Sequence, residues 1–217
     1  MKISDAIRIA VSCAEKYDTE LCGKCFLILY QENINKINSM ELVFQSQYFM
    51  HLTGLKARNK KHPISAPDFY RKCLDNRLRE NEVTFSEDGT TELKLSYLPN
   101  ILCKNLLANS VGDFNGSTLK LMTEKIVGNQ HAFIGTIYIE EFGYYIPNTF
   151  VKGDIRDYGK NRKRIVSIFR RKQTEAEYTE ITYLAKNVNW NNITFPDKYN
   201  LLLDKIKMDN GTLHKLF

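Results

Sequence analysis

The first regular pattern along the chain is amphipathic at helical spacing, over residues 4–17, with Ser4 as the expected N-cap. Two apolar, strand-like runs follow at residues 24–31 and 39–46. Between them lies Asn33-Ile34-Asn35-Lys36-Ile37-Asn38, which suits a turn, so the pair reads as a hairpin. Residues 48–54 are compact and end in Gly54, and a basic loop occupies residues 56–63. Ser65-Ala66-Pro67-Asp68 then combines a cap, an early proline and an acid three positions on. That signature starts a helix running to about Leu78, with Phe69, Cys73, Leu74 and Leu78 facing inward. After a turn at residues 87–89, residues 91–108 read as helical, with a break or kink at Pro99.

The second half changes character. Residues 131–139, 143–147, 164–171 and 178–186 are rich in Ile, Val, Phe, Tyr and Thr, a strand composition. Glu140-Glu141-Phe142-Gly143 reads as a hairpin turn between the first two. Residues 152–158 fit one helical turn, and residues 196–208 form a last helix. No repeat, low-complexity tract or Gly/Ser/Pro linker interrupts the chain, so one domain over 1–217 is expected. The expected class is α+β, with helices of the N-terminal half packed on an antiparallel sheet of about four strands.

Composition adds exclusions. A chain of 217 residues that is 43% hydrophobic and 26% charged is ordinary globular material. Disorder and collagen are excluded, and no apolar run approaches the roughly 18–20 residues that span a bilayer. The opening segment is too acidic and amphipathic for a signal peptide, so the cytoplasm is the expected location. Cys13, Cys22, Cys25, Cys73 and Cys103 then read as free thiols. Cys22-Gly-Lys-Cys25 lacks a second pair of ligands for a structural zinc. It also precedes an apolar run, the reverse of a redox dithiol's order.

Charge changes the picture more. The net charge is +6, but residues 51–80 alone carry eight basic and three acidic side chains, and residues 151–172 carry nine and two. The remaining segments are neutral or acidic. Such a split fits either a basic site for a polyanion or two solvated loops.

Candidate chemistry is sparse. Gly-x-x-x-x-Gly-Lys-Ser/Thr, Gly-x-Gly-x-x-Gly, His-Glu-x-x-His and Gly-x-Ser-x-Gly are all missing. Of the four histidines, His62 lies in the basic loop and His214 in the terminal tail. His51, between apolar neighbours and just before the first basic cluster, is either a general base for a phosphodiester or a core histidine held by a carbonyl. Arg162-Lys163-Arg164 and Arg170-Arg171-Lys172 bracket the strand at 165–169; they either grip successive phosphates or protect an exposed edge. Lys125, just before Gly128-Asn129, either projects from a loop rim toward a phosphate or ends a solvated helix. In residues 178–186, alternation puts Tyr178, Glu180 and Thr182 on one face and Thr179, Ile181 and Tyr183 on the more apolar one. A carboxylate, a hydroxyl and a histidine among cations suffice to cleave RNA through its 2′-hydroxyl, with no metal or other cofactor.

Several blocks together resemble a known family. Tyr48-Phe49-Met50-His51-Leu52-Thr53-Gly54, Lys120-Leu121-x-Thr123-Glu124-Lys125-x-x-Gly128-Asn129, Tyr145-Ile146-Pro147-Asn148-Thr149, Asp154-Ile155-Arg156 and Tyr178-Thr179-Glu180-Ile181-x-Tyr183-x-Ala185-Lys186 occur in that order. The ordered set, over about residues 24–188, resembles the phage-associated Barnase–EndoU–colicin–RelE-like nucleases, fourth subfamily. The resemblance implies a small helical region on an antiparallel sheet and a metal-independent endoribonuclease encoded by a phage or mobile element. It points to His51, Thr53 and Lys125, then to Arg156, Glu180 and Thr182, as catalytic residues. The expected nucleic-acid contacts are Lys56, Arg58, Lys60, Lys61, Arg156, Arg162, Lys163, Arg164 and Arg170. Expected partners are RNA, whether tRNA or mRNA, and a cognate antitoxin or immunity protein, with no membrane. The competing expectations are a catalytically inactive relative that binds RNA or a host protein, and an accessory protein of a mobile element.

Overall fold

The computed structural model describes residues 1–33, 35–116, 121–190, 194, 196–199, 201–202 and 204–206. Helix α1 (Ile3–Glu20) opens the chain, capped at Lys2 rather than Ser4. The predicted hairpin forms from β1 (Lys24–Asn33) and β2 (Lys36–Phe44). A 3-10 turn at Ser46–Tyr48 leads into α2 (Phe49–Thr53), then β3 (Leu55–Ala57), α3 (Ala66–Leu74), β4 (Val83–Phe85) and α4 (Thr91–Ile101). The rest of the described chain gives β5 (Ser110–Phe114), β6 (Lys125–Gly128), β7 (Ala132–Ile139), β8 (Tyr144–Lys152), α5 (Ile155–Tyr158), β9 (Gly159–Lys172) and β10 (Glu180–Leu184). Of the helix predicted over 196–208, Asp197–Tyr199 is a 3-10 turn and residues 201–202 and 204–206 are helical. Residues 207–208 and His214 lie outside the described residues.

The expected four-stranded antiparallel sheet is replaced by a closed barrel. Seven strands run β1-β2-β8-β7-β6-β5-β9 and return to β1, and β10 is added beside β9. All of these pairings are antiparallel except β2 with β8, which is parallel through Leu42↔Tyr145. Closure depends on β9. Its first part, Gly159 to Arg164, pairs with β5, and its second part, from Ile165, pairs with β1. β5 and β6 hold five and four residues, too few to display a period, and so the sequence pattern hides them. The helix expected over 91–108 stops at Ile101, and Leu106 and Leu107 take positive φ in the connection.

One core lies where Phe26, Ile28, Met40, Leu42, Val127, Ile134 and Phe150 meet α1 to α4. A second lies across the wall, where Leu27, Leu29, Val43, Val166 and Phe169 are covered by Tyr178, Trp190, Tyr199, Leu202 and Ile206. β1 is buried on both faces, which is why it reads as one apolar run rather than an alternation. Ser65 caps α3 as predicted, accepting the Asp68 N–H, but Leu74 is exposed at its end. All five cysteines are free. Burial pushes the Cys13 and Cys73 thiols up to about 12, which makes them inert packing residues. No helix among the described residues is long and apolar enough to cross a membrane.

Candidate active site

Helix α2 is one turn long and is held by its aromatic residue. The Phe49 ring is fully buried, 5.0 Å from Tyr17 and 5.3 Å from Tyr70 between centroids. Phe49, Met50, Leu52 and Thr53 are buried, and His51 is exposed. The Thr53 hydroxyl donates to the Met50 carbonyl at 2.8 Å and accepts the Leu55 N–H at 3.1 Å. Those two bonds terminate the helix, and Thr53 lies wholly within the core.

Gly54 then turns the chain at φ +73°. Its carbonyl accepts the Thr91 hydroxyl at 2.7 Å, and the same hydroxyl accepts the Ser86 N–H at 2.8 Å. A Cβ at Gly54 would lie 2.9 Å from Lys94 Cδ and 3.2 Å from Thr91 Cα. The glycine therefore lets the turn after His51 rest directly on α4.

Lys94 is the consequence of that contact. It occupies the inward stripe of α4 beside Thr91, Leu95 and Leu98, and its ammonium donates to Thr149 Oγ1 of β8 at 3.2 Å. Burial lowers the Lys94 pKa; Asp88 opposes this and Lys56 adds to it. The His51 pKa is also lowered. The residue is exposed, yet the surrounding chain shields its ring enough that desolvation is the first cause, followed by Lys56 and Lys94. A histidine below its ordinary value of about 6.5 is mainly neutral at pH 7 and free to take a proton.

One further block meets Lys94 through Thr149, and a second packs on that block. Thr149 and Thr123 close over Gly135, where a Cβ would lie 2.7 Å from Thr149 Cγ2 and 2.8 Å from Thr123 Oγ1. Asn148 Nδ2 donates to the Met122 carbonyl at 2.5 Å. The Thr123 hydroxyl is buried without a hydrogen-bond partner among the described residues. Lys94 thus joins the turn at Gly54 to Thr149, and residues 122–123 lie on the far side of 148–149.

The other predicted residues take different places. Lys125 begins β6 and donates to Asp113 at 2.7 Å, while the second Asp113 oxygen accepts from Asn161 at 3.0 Å. Burial works to lower the Lys125 pKa, but Asp113, Tyr30 and Tyr145 outweigh it and leave it raised. Glu180 bonds Arg170, whose guanidinium also reaches Glu20. A register shift between Ile181 and Tyr183 turns Thr182 away from the open face that strict alternation predicts. It is buried and donates to the Ile168 carbonyl at 3.1 Å.

Among the basic residues, Lys56, Arg58, Lys60 and Lys61 are exposed on and after β3. Arg156 is held by Asp154 at the start of α5 and Lys163 by Glu32. Arg164 donates to the Lys186 carbonyl, and Arg162 is exposed beside Gly112. No group of three or more His, Cys, Asp or Glu side chains among the described residues is placed to hold a metal ion.

Residues 9–187 match the family described as phage-Barnase-EndoU-ColicinE5/D-RelE like nuclease 4. The chain belongs to this nuclease family. No curated protein and no solved structure matches it. The family match spans all the segments that converge on Lys94, from α2 to β8. Lys94 itself is absent from the sequence-based candidates, as are Thr123 and Thr149. Its signal is a lysine on the apolar stripe of a helix, where an unpaired charge is rarely tolerated.

Proposed function

We propose that this nuclease is a metal-independent endoribonuclease whose centre is His51, Lys56 and Lys94. The observation that carries the reading is the approach of Gly54, three residues after His51, to the Lys94 stem, with the Lys94 ammonium held by Thr149 and the exposed His51 imidazole lowered in pKa by partial burial and then by Lys56 and Lys94. Neutral His51 takes the proton of a 2′-hydroxyl. The 2′-oxygen then forms a bond to the adjacent phosphorus as the bond to the 5′-oxygen breaks. Lys94, made more acidic by burial, supplies the proton that the leaving oxygen needs, and Lys56 offsets the charge on the phosphoryl oxygens. Thr149 fixes the Lys94 ammonium in place.

In this scheme Thr53 shapes the turn, and Lys125, Glu180 and Thr182 hold the barrel wall through Asp113, Arg170 and the Ile168 carbonyl. An RNase of phage or mobile-element origin would act on host tRNA or mRNA as a toxin or effector, with a cognate antitoxin or immunity protein. The test is RNA incubated with purified protein in EDTA. Products ending in 2′,3′-cyclic phosphate are expected, and His51→Ala should abolish them. Undiminished cleavage by that variant would refute the centre. Salt-sensitive binding without cleavage would mark a silent RNA-binding relative instead.

A further inference from the structure

Helix α5 packs on β5, β6 and β9. The strand register sets the face it covers. Ser110 lies opposite Gly128 and Arg164, and Gly112, two residues on, lies opposite Ile126. Ile126 and Ile155 meet in a small apolar cluster. The stem of Arg162 crosses the same face. A Cβ at Gly112 would lie 3.1 Å from Arg162 Cγ, and one at Gly159 would lie 3.3 Å from it. Two glycines thus leave a slot that the Arg162 stem fills. The residue is exposed, and its guanidinium has no ion-pair partner among the described residues.

Arg162 lines a pocket of about 200 Å³ together with Asn109, Ser110, Gln130, Asp154 and Arg156. Asp154 joins the two arginines. Its carboxylate accepts from Arg156 Nε at 2.8 Å and from Arg156 Nη2 at 2.5 Å. Those hydrogen bonds chiefly hold the Asp154 carboxyl below its usual range, and the charge of Arg162 adds to them. Both guanidiniums therefore act on one carboxylate, and one positive charge in the lining is left over. Asp157, which also acts on Arg156, does not line the pocket. The volume is below the roughly 300–1,000 Å³ of sites that enclose a drug-sized ligand. It suits one tetrahedral oxyanion group rather than a whole nucleotide.

We propose that this pocket is a phosphate-binding site, in which Arg162 and Arg156 grip the oxygens of one phosphate group. A guanidinium offers paired donors in the plane that phosphate oxygens match. The glycine slot positions one fork and Asp154 the other, so little freedom is lost when the anion enters. The amides of Asn109 and Gln130 add neutral donors to the lining. The phosphate is either a link of an RNA chain or a free anion, and the same chemistry serves both. The pocket shares no residue with α2, α4 or the β3–β4 pair, so it goes beyond the endoribonuclease reading and does not depend on it.

The first probe is inorganic phosphate, read as the thermal midpoint of the full chain against chloride at the same ionic strength. An anion bound only by the folded state raises that midpoint. The rise should appear in the parent protein and in Lys160→Gln, and be lost in Arg162→Gln. Lys160 is the control because it is exposed on the same strand but lies opposite Asp113, whose side chain alternates to the face away from Gly112. Arg162→Lys keeps the charge without the fork and should give an intermediate rise. Midpoints in chloride establish that every variant is folded. The second probe is a fully 2′-O-methylated single-stranded hexanucleotide, which cannot be cleaved, read by fluorescence anisotropy over a salt series. If the phosphate belongs to RNA, Arg162→Gln weakens binding and lowers the salt slope by about one. If the anion is free phosphate, Arg162→Gln loses the midpoint rise and binds the hexanucleotide like the parent protein. Parent-like behaviour of Arg162→Gln toward both probes overturns the proposal, and so does an equal loss of the phosphate rise in Arg162→Gln and Lys160→Gln. Neither readout involves cleavage, so an active His51→Ala would remove the catalytic centre and leave the pocket standing.

Discussion

Gly54→Ala tests the packing that brings α2 against α4. Two costs add. The first is conformational: at φ +73° an L side chain crowds its own carbonyl, at roughly 1–2 kcal/mol. Loss of unfolded-state freedom returns about 0.4–1 kcal/mol of that. The second is steric. The new methyl would meet Lys94 Cδ at 2.9 Å, which a flexible stem can yield, and Thr91 Cα at 3.2 Å, which is backbone. Overpacking of this kind costs about 1–3 kcal/mol. The expected total is near 2–3 kcal/mol. Gly89→Ala is the control: its φ is +70°, but a Cβ there meets nothing within 4 Å. It should cost about 1 kcal/mol or less, from the conformational contribution alone. Urea unfolding of both variants at constant m-value reads the difference. Equal destabilisation would show that the α2–α4 contact is slack, and the placement of Lys94 beside His51 would lose its mechanical basis.

Three further outcomes follow from the site and its surroundings. In a pH profile of kcat/KM, the acid limb should fall below pH 6.5, because activity needs neutral His51 and its pKa is depressed; Lys56→Gln should move that limb upward, and an unmoved limb would show that a different group titrates. Thr53→Val keeps the shape but leaves the Leu55 N–H unpaired in the core, so unfolding should show a loss of about 1–3 kcal/mol, with cleavage retained wherever the variant is folded. Asp113→Ala should cost about 1 kcal/mol near neutral pH, discounted for partial exposure of the pair. The Asp113 carboxyl is depressed chiefly by its Lys125 hydrogen bond, so its contribution is present above about pH 4 and lost as pH falls through the lowered value; a destabilisation that persisted undiminished in acid would contradict the pairing.

The parts of the fold that could be read in advance are those in which local signals agree. Ser65 and Asp68 announce α3, Gly143 closes the β7–β8 hairpin, and the Asn-rich turn joins β1 to β2. The barrel could not be read because its closure is non-local. It rests on β9 changing partner near Arg164 and on a parallel contact between Leu42 and Tyr145, pairings on which turn chemistry and periodicity are silent. Thr182 shows how little is needed to mislead: one bulge reverses the face that alternation assigns. His51 and Lys56 could be named from their neighbours in sequence. Lys94 could not be joined to them, since only the approach of Gly54 to α4 brings its stem against the turn after His51.

The charge pattern carries the same lesson in a different form. Residues 151–172 hold the larger basic excess, yet Arg156, Lys163, Arg170 and Lys172 are each matched by a carboxylate in the folded chain. Glu20 and Glu32 come from the other end of the sequence to do so. Lys163, Arg170 and Lys172 thus brace the strand that closes the barrel, while Lys160, Arg162 and Arg164 stay exposed with no ion-pair partner among the described residues. Lys56 and Arg58, from the smaller cluster, have no ion-pair partner among the described residues, and Lys94 comes from an acidic stretch that a running count would pass over. Local net charge measures supply, whereas the field available to a phosphate is what remains after long-range pairing. We infer that neutralising Lys56 or Arg58, which have no ion-pair partner among the described residues, should weaken RNA binding more than neutralising Lys163 or Arg170, which are paired and should chiefly reduce stability. Salt-dependent binding and thermal unfolding of the four single Gln variants would show whether the two effects separate in that way.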